Sequence, residues 1–258
     1  MLNIVIPMAG LGSRFSQAGY VDPKPFIPVA GVPMIELVIS SLRPACPHRF
    51  IFICQQAHLD RYHFRPRLEA LAPGCQILGL SGLTEGAACS VLKAAPFIDN
   101  ASPLMIANAD QWFSADINDY LATLARQRLS GLLMTMQASS PKWSYACLNE
   151  QGLVTRVVEK EVVSDMATTG IYNFRHGHDF CRYARAMIDD NERSQGEFYV
   201  APVYTRMYQE TGARIGIYST GRDGDGMHGL GTPEDLTAFL AHPVLSRALE
   251  PLKVRACI

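Results

Sequence analysis

The first half of the chain alternates short, strongly apolar segments with amphipathic ones. The apolar segments predict strands at 4–8, 50–54, 75–80, 104–107 and 132–137. Helices are predicted between them at 33–42, 59–71 and 85–95, with Thr84 as N-cap of the last, and after Ser114, which we expect to cap a helix bearing Ile117, Leu121 and Leu124. Parallel strands buried on both faces form continuous apolar runs and are joined by helical crossovers. We therefore expect an α/β fold: a single Rossmann-like, three-layer domain with a mixed, mostly parallel central sheet.

The second half of the chain is less regular. Strands are predicted at 146–148, 154–158, 169–174 and 214–218, and helices at 180–188 and 203–208. Thr232 is expected to start a final helix, because Thr-Pro-Glu-Asp supplies an N-cap, a proline and acids in the first turn. No internal repeat, low-complexity segment or linker interrupts the chain, so we expect one domain over 1–258.

Composition excludes several classes of protein. The formal net charge is −1 and no basic run occurs, which argues against a nucleic-acid partner. The first residues have the pattern of a strand and not of a signal peptide, and no apolar stretch approaches the roughly 18 residues of a membrane span. The cysteines are scattered without a C-x-x-C pair, which indicates reduced thiols and no zinc or redox site. We expect a cytoplasmic protein that does not bind membranes.

The loop after the first strand, Pro7 to Phe15, is glycine-rich. Gly10 and Gly12 let the backbone approach a phosphate closely, and Arg14 carries a planar fork that matches phosphate oxygens. A dinucleotide fingerprint would need glycine where Phe15 stands, and the Gly-Lys-Ser/Thr of a Walker A loop is absent. A tight turn without a ligand is the alternative interpretation of two glycines alone.

The segment that follows carries a lysine between two prolines, Pro23-Lys24-Pro25. A third proline, Pro28, stiffens it further, and Pro33-Met34-Ile35 begins a helix. We expect this rigid segment to hold Lys24 as a point charge over a polyphosphate.

Together these motifs resemble the nucleotidyltransferases that act on sugar 1-phosphates. That family carries Gly-x-Gly-[Thr/Ser]-Arg followed by a Pro-Lys pair about ten residues later, and the resemblance extends from position 3 to about 240. The start Ile-Pro-Met-Ala-Gly is most similar to a subgroup that includes cytidylyltransferases of bacterial surface-polysaccharide pathways. The resemblance implies an NTP-binding half over 1–140 and an acceptor-binding half over 141–258.

The resemblance also implies which residues bind the NTP. The base, ribose and phosphates would contact Ala9, Gly10, Gly12, Ser13 and Arg14, and Lys24 would bind the triphosphate. Thr84 to Ala87 matches the segment at the nucleobase, including Glu85 and Gly86. Glu85 can accept a hydrogen bond from a cytosine amino group, which favours CTP.

Asp110 matches the metal-binding aspartate of the family, so the cofactor implied is Mg²⁺. A carboxylate at the C-terminal end of a parallel strand lies where α/β folds bind ligands, and Mg²⁺ prefers carboxylate and phosphate oxygens. The alternative role for Asp110 is a helix cap. Arg14, Lys24 and Asp110 are the residues implied to be catalytic.

The acceptor would bind through residues of the second half. Glu159 and Lys160 match the pair that meets a sugar hydroxyl and its phosphate, and Gly170 matches a glycine of the acceptor pocket. Glu197 and Tyr199 fall in a region that shapes this pocket. A solvated surface pair is the alternative for Glu159 and Lys160.

The sequence departs from the family near its C-terminus. The family's second metal-binding aspartate falls on Gly229 in this chain. Asp223 and Asp225 lie just upstream, and Asp225 is our candidate for a second ligand. Otherwise the metal would take only Asp110, substrate phosphates and water.

The expected function is a Mg²⁺-dependent nucleotidyltransferase that joins an NTP to a sugar 1-phosphate or similar phosphorylated small molecule and releases pyrophosphate. Two alternatives stay open. One is a glycosyltransferase of related fold, although the first acid of its Asp-x-Asp motif is replaced by Asn108. The other is a catalytically lapsed sensor of nucleotide or sugar phosphate. A homo-oligomer is compatible with the sequence.

Overall fold

A computed structural model describes residues 1–255, and Cys257 lies outside them. Strands β1 to β13 are, in chain order, Leu2–Met8, Pro28–Val29, Val32–Pro33, His48–Gln55, Gln76–Leu80, Leu104–Ala107, Gln111–Phe113, Gly131–Gln137, Ser144–Leu148, Val154–Glu159, Met166–Phe174, Ile215–Asp223 and Gly226–Gly229. Helices α1 to α11 are Ser13–Gln17, Met34–Leu42, Gln56–Arg61, Phe64–Leu71, Ala87–Leu92, Ala95–Ile98, Ile117–Arg126, Gly177–Asp189, Pro202–Thr211, Pro233–Ala241 and Leu245–Arg255. A 3₁₀ turn spans Lys24–Phe26.

The centre of the molecule is an 11-stranded mixed sheet in the order β5-β4-β1-β6-β11-β8-β12-β13-β7, extended by β9 and β10 beside β11. Along this order β11 and β7 run antiparallel to the other strands. The sheet is therefore mostly parallel. The predicted α/β class is confirmed.

Helices cover both faces of the sheet. Side chains alternate between the faces along β1, so Val5 packs into one apolar core while Ile4 and Ile6 pack into the other. Helices α5, α6, α8 and α9 cover the Val5 face, and α2, α4 and α7 cover the opposite face. This arrangement confirms the three layers.

Three local predictions were wrong at helix starts. His63 has φ 51°, which ends α3 and separates it from α4 where one helix was expected. Helix α7 is capped by Asp116, whose carboxylate accepts from the backbone N–H of Asn118, and not by Ser114. Helix α5 begins at Ala87, and the Thr84 hydroxyl donates to the carbonyl of Gly86 instead of capping it.

The cap at Thr232 is confirmed, because its hydroxyl accepts from the backbone N–H of Asp235 at 3.1 Å. Helix α10 begins at Pro233, shortly after β13 ends at Gly229, so residues 229–232 stay at the edge of the sheet. No helix within residues 1–255 combines the length and apolarity needed to cross a membrane.

The topology brings two loops together. Strands β1 and β6 are parallel neighbours, so the loop after Met8 and the loop after Ala107 leave the same edge of the sheet. The short β7–β13 pair closes this edge, because the backbone N–H of Leu230 donates to the carbonyl of Asp110 at 2.7 Å. The glycine loop, Asp110 and residues 229–231 are thus held side by side.

A buried tyrosine ties α9 to the sheet and gives a test of this packing. The Tyr204 hydroxyl donates to the carbonyl of Asn173 at 2.7 Å, and its ring stacks on Phe174 with centroids 4.4 Å apart. Replacing it by Tyr204→Phe leaves the buried carbonyl short of a donor. We expect the free energy of unfolding in urea to fall by about 1–2 kcal/mol.

The matched control is Tyr208→Phe, a half-buried tyrosine one turn later on α9. We expect it to change the free energy of unfolding by less than about 0.5 kcal/mol. Equal losses in both variants would contradict a specific role for the Tyr204 hydrogen bond.

Candidate active site

The glycine loop is shaped by two close contacts. Gly12 has φ 62°, a left-handed conformation that glycine adopts without strain, and a Cβ there would lie 3.1 Å from the Cβ of Lys24. The side-chain amide of Gln55 donates to the carbonyl of Ala9 at 2.5 Å and fixes the start of the loop. The loop therefore packs directly against the 3₁₀ turn that carries Lys24.

A cavity of about 270 Å³ opens where these loops meet. It is lined by Pro7, Met8, Gly10, Gly12, Lys24, Pro25, Asn108, Ala109 and Asp110. The Lys24 ammonium donates to Asp110 Oδ2 at 2.5 Å, with both side chains about one quarter exposed. Residues predicted from three separate motifs thus line one cavity: Gly10 and Gly12, Lys24, and Asp110.

The other loop residues predicted to meet the NTP lie beside this cavity and do not line it. Ala9 is buried, and Ser13 and Arg14 are exposed on the short helix α1. The charge of Arg14 acts on Glu234 in the first turn of α10. The pKa of Glu234 is lowered mainly by its own backbone N–H and by Thr232, and in smaller part by the charge of Arg14.

A second cavity of about 190 Å³ adjoins the first. It is lined by Ala87, Asn108, Lys142, Trp143, Ser144, Glu159, Lys160, Thr168, Gly170, Tyr172, Tyr199 and Val200. Asn108 lines both cavities and forms their common wall. Gly170 has φ 81°, and a Cβ there would overlap the side-chain amide of Asn108, so glycine is required to seat this wall.

Glu159 is held within the second cavity as a nearly buried carboxylate. The Ser144 hydroxyl donates to it at 2.7 Å. Burial raises the pKa of Glu159, and the Ser144 hydrogen bond and the charge of Lys160 offset part of that rise. A carboxylate in this environment can accept hydrogen bonds from ligand hydroxyl groups.

Lys160 adopts a left-handed conformation with φ 56°, and its backbone N–H donates to the carbonyl of Trp143 at 3.0 Å. Its ammonium donates to the Tyr199 hydroxyl at 2.9 Å, which is the main cause of a raised pKa for Lys160. Lys160 is exposed, and these contacts hold its protonated ammonium at the cavity wall.

Six residues of the second cavity were missed by sequence reasoning: Lys142, Trp143, Ser144, Thr168, Tyr172 and Val200. A signal for two of them exists, since Thr168, Gly170 and Tyr172 alternate along β11 and so share one face. Lys142, Trp143 and Ser144 come from the irregular start of β9, where no periodic pattern marks them. The sequence drew attention to Asn108 only because it replaces the first acid of an Asp-x-Asp motif.

Of the segment predicted at the nucleobase, Glu85 and Gly86 line neither cavity, whereas Ala87 lines the second. Glu85 is exposed and forms an ion pair with Arg193, and Gly86 packs against the backbone of Phe198. Glu197 is exposed, and its backbone pairs with Ser194. The structure thus brings Glu159, Lys160, Gly170 and Tyr199 together and leaves Glu197 outside the wall.

The expected second metal ligand needs correction. The β7–β13 register places Gly229 opposite Gln111, next to Asp110. At the other end of the strand pair, the backbone N–H of Ser114 donates to the carbonyl of Gly226. Asp225 lies just beyond that end, roughly 15 Å along the strands from Asp110 by the usual rise per residue. The geometry therefore does not support Asp225 as a partner of Asp110.

The donor set at Asp110 is small. Among residues 1–255, no cluster of three or more histidine, cysteine or acidic side chains is arranged to hold a metal ion. Mg²⁺ is commonly bound by one or two carboxylates together with substrate phosphates and waters. The first cavity offers one carboxylate, Asp110, which is paired with a lysine. This donor set fits a metal ion that binds together with a polyphosphate, rather than one bound by protein ligands alone.

The buried carboxylate of Glu159 gives a test by pH. A raised pKa means that the folded state binds the proton more tightly, so stability falls as the pH rises from the ordinary pKa of glutamate to that of Glu159. Glu159→Gln removes this dependence and can still accept from Ser144. We expect the variant to gain unfolding free energy relative to the wild type across that pH interval and to keep a constant advantage above it.

Urea unfolding between pH 4 and pH 8 measures the difference. Glu161→Gln, an exposed neighbour, is the matched control and should track the wild type. A pH-independent difference between Glu159→Gln and the wild type would contradict the assignment.

Comparison with known proteins agrees with this geometry. The family model described as "Nucleotidyl transferase" matches residues 4–211. The chain is 27% identical over 215 residues to the bifunctional protein GlmU of Cupriavidus necator, covering 80% of this chain and 44% of that protein. The chain thus spans less than half the length of the curated relatives that it matches.

Solved structures give the same result over nearly the whole chain. The nucleoside-diphosphate-sugar pyrophosphorylase from Vibrio cholerae RC9 superposes with a TM-score of 0.77 and 26% identity, covering 93% of this chain and all of that one. The inositol-1-phosphate CTP transferase from T. maritima shares the fold, with a TM-score of 0.71, 14% identity and 96% coverage of both chains. The resemblance noted from the sequence is confirmed: the chain belongs to the nucleotidyl transferase family.

Proposed function

We propose that this protein is a Mg²⁺-dependent nucleotidyltransferase that condenses an NTP with a phosphorylated small molecule and releases pyrophosphate. The observation that carries the proposal is the pair of adjoining cavities with Asn108 as their common wall. One cavity holds Lys24 and Asp110, and the other holds Glu159 and Lys160. Two anionic substrates bound in them would meet at this wall.

The first cavity would take the NTP. The Gly10–Gly12 backbone allows close approach of phosphates, and the Lys24 ammonium supplies a cation at the triphosphate. In the free protein this ammonium is paired with Asp110. Triphosphate binding would give Lys24 a second anionic partner and leave a carboxylate oxygen of Asp110 available.

Asp110 would hold the Mg²⁺ that accompanies the NTP. When bound, the metal would neutralise charge on the phosphate oxygens, as divalent ions do in phosphoryl transfer. Lys24 and Arg14 would hold the pyrophosphate group as it leaves, which requires the exposed Arg14 side chain to reach a cavity that it does not line.

The second cavity would take the acceptor. Lys160 would bind the acceptor phosphate and offset the repulsion between two anions, while Glu159 accepts hydrogen bonds from its hydroxyl groups. The phosphate oxygen then attacks the α-phosphorus in line, the new P–O bond forms, and the bond to pyrophosphate breaks. The nucleophile is already ionised at neutral pH, so no general base is required.

The finer assignments follow the chemistry of the same residues. Arg193 pairs with Oε2 of Glu85, so Oε1 would accept from a cytosine amino group, which favours CTP. A sugar 1-phosphate is the acceptor suggested by the family, with other small phosphorylated alcohols as alternatives. The product would be a nucleotide-activated precursor for polysaccharide biosynthesis. One observation favours a second candidate, a sensor that binds without turnover: Gly229 supplies no carboxylate beside Asp110.

Pyrophosphate release with Mg²⁺ tests the reaction. CTP, UTP, dTTP, GTP and ATP are each crossed with sugar 1-phosphates and small phosphorylated alcohols and amides. We expect one pair to react. Asp110→Asn should lower its rate by about 100-fold or more, because the metal that would offset charge on the phosphate oxygens loses its carboxylate ligand.

Asp99→Asn is the matched control, since Asp99 is an acid paired with Arg185 on the surface of α8. It should leave the rate unchanged. Full turnover by Asp110→Asn would disprove the mechanism, and NTP binding without turnover by any pair would favour the sensor.

A further inference from the structure

The segment between α8 and α9, residues 190–201, lies against the 84–87 loop. The Phe198 N–H donates to the carbonyl of Glu85 at 2.9 Å, and the Ala88 N–H donates to the carbonyl of Phe198 at 2.9 Å. Gly86, with φ 136°, permits this approach, because a Cβ there would overlap the Phe198 backbone. The two segments are therefore joined into one unit by backbone hydrogen bonds.

Arg193 holds this unit together through its whole guanidinium group. Its Nε donates to the Asn191 side chain at 2.7 Å, one Nη donates to the carbonyl of Gly196 at 3.1 Å, and the other donates to the Glu85 carboxylate. The same group lies over the Phe198 ring, 4.2 Å from its centroid. One side chain thus contacts the turn at three places and joins it to the 84–87 loop.

The turn needs such support because its backbone is strained. Asn191 and Gln195 adopt left-handed conformations, with φ 54° and 50°. Non-glycine residues rarely occupy this region, and they persist there when surrounding contacts hold them. The Arg193 hydrogen bonds to Asn191 and to Gly196 provide those contacts at both ends of the turn.

The same turn positions the acceptor cation. Tyr199 follows Phe198 directly, and its hydroxyl accepts from the Lys160 ammonium at 2.9 Å. A continuous path therefore runs from Glu85 through Arg193 and Phe198 to Tyr199 and Lys160. An exposed ion pair contributes little by itself, so the effect of Arg193 comes from fixing the backbone between its partners.

We propose that Arg193 is a positioning residue that couples nucleotide binding at the 84–87 loop to the placement of Lys160 in the acceptor cavity. The inference rests on the proposed function, since it needs both substrates. A nucleotide that orders the 84–87 loop would raise the affinity for the acceptor, and the acceptor would raise the affinity for the nucleotide by the same factor.

Amide hydrogen exchange of residues 193–200, with and without each of the five NTPs and Mg²⁺, tests the coupling without an acceptor. We expect the nucleotide that binds to slow exchange there in the wild type but not in Arg193→Ala. The control is Arg182→Ala, which removes an exposed arginine of α8 that has one long ion pair, 3.8 Å, to Glu210. It should behave as the wild type.

Steady-state kinetics with the reactive pair provides the second measurement. We expect Arg193→Ala to raise KM for the acceptor about tenfold at saturating NTP, and KM for the NTP by a similar factor at saturating acceptor, a coupling of ordinary size. The affinity for the NTP measured without acceptor should change less than about threefold. Arg193→Lys keeps the charge beside Glu85 but lacks the planar fork whose separate N–H groups reach Asn191, Gly196 and Glu85, so it should be intermediate. If Arg193→Ala does not fold, the lysine variant decides the result.

The outcomes separate the two proposals. Nucleotide-dependent protection of residues 193–200 in Arg193→Ala, with KM for the acceptor unchanged, would overturn the coupling while the enzymatic function stands. A wild-type protein that binds none of the five NTPs would overturn the proposed function and this inference together.

Discussion

Strand β6 has a parallel neighbour, β1, on one side and an antiparallel neighbour, β11, on the other, and both cavities depend on this change of direction. The parallel side places the glycine loop next to Asn108–Asp110 at the carboxyl edge of the sheet, where α/β folds bind ligands. The antiparallel side brings the middle of β11, with Gly170, back to the same edge. Asn108 therefore stands between two kinds of binding surface built from distant parts of the chain.

Charge in the site is arranged as lysine–carboxylate neighbours. Lys24 is bonded to Asp110 in the first cavity, and Lys160 lies beside Glu159 in the second. A buried carboxylate alone is costly, and here Ser144 and Lys160 offset part of that cost. Both cations are held by partners within the protein, Lys24 by Asp110 and Lys160 by Tyr199.

The sequence was sufficient to predict the fold class and most strands, because buried strands are continuous apolar runs with few alternatives. Gly10, Gly12 and Asp110 were predicted as site residues because each closely follows a strand, and Lys24 because it stands between two prolines in a rigid segment. Lys142 and Trp143 were not, because they reach the cavity through the irregular connection between β8 and β9. The position of Glu85 beside Arg193 depends on packing between the two halves, for which local sequence gives no signal.

The same limit explains the prediction for Asp225. Proximity in sequence suggested a ligand near Asp110, but the register of β7 and β13 decides which end of the pair each residue occupies. That register depends on backbone hydrogen bonds such as Leu230 to Asp110, which a motif cannot specify. The strand pairing places Gly229 beside Asp110 and leaves Asp225 at the opposite end of the β7–β13 pair.

The surroundings of Gly229 decide what a carboxylate placed beside Asp110 would meet. A Cβ at this position would lie 3.6 Å from the Trp143 ring and 3.7 Å from a carboxylate oxygen of Asp235, which are ordinary van der Waals distances. The backbone therefore leaves room for a side chain. An aspartate introduced there would bring its charge toward Asp235, and like charges at short range disfavour ionisation of both. Electrostatic repulsion, rather than lack of space, is what a carboxylate at this position would have to overcome.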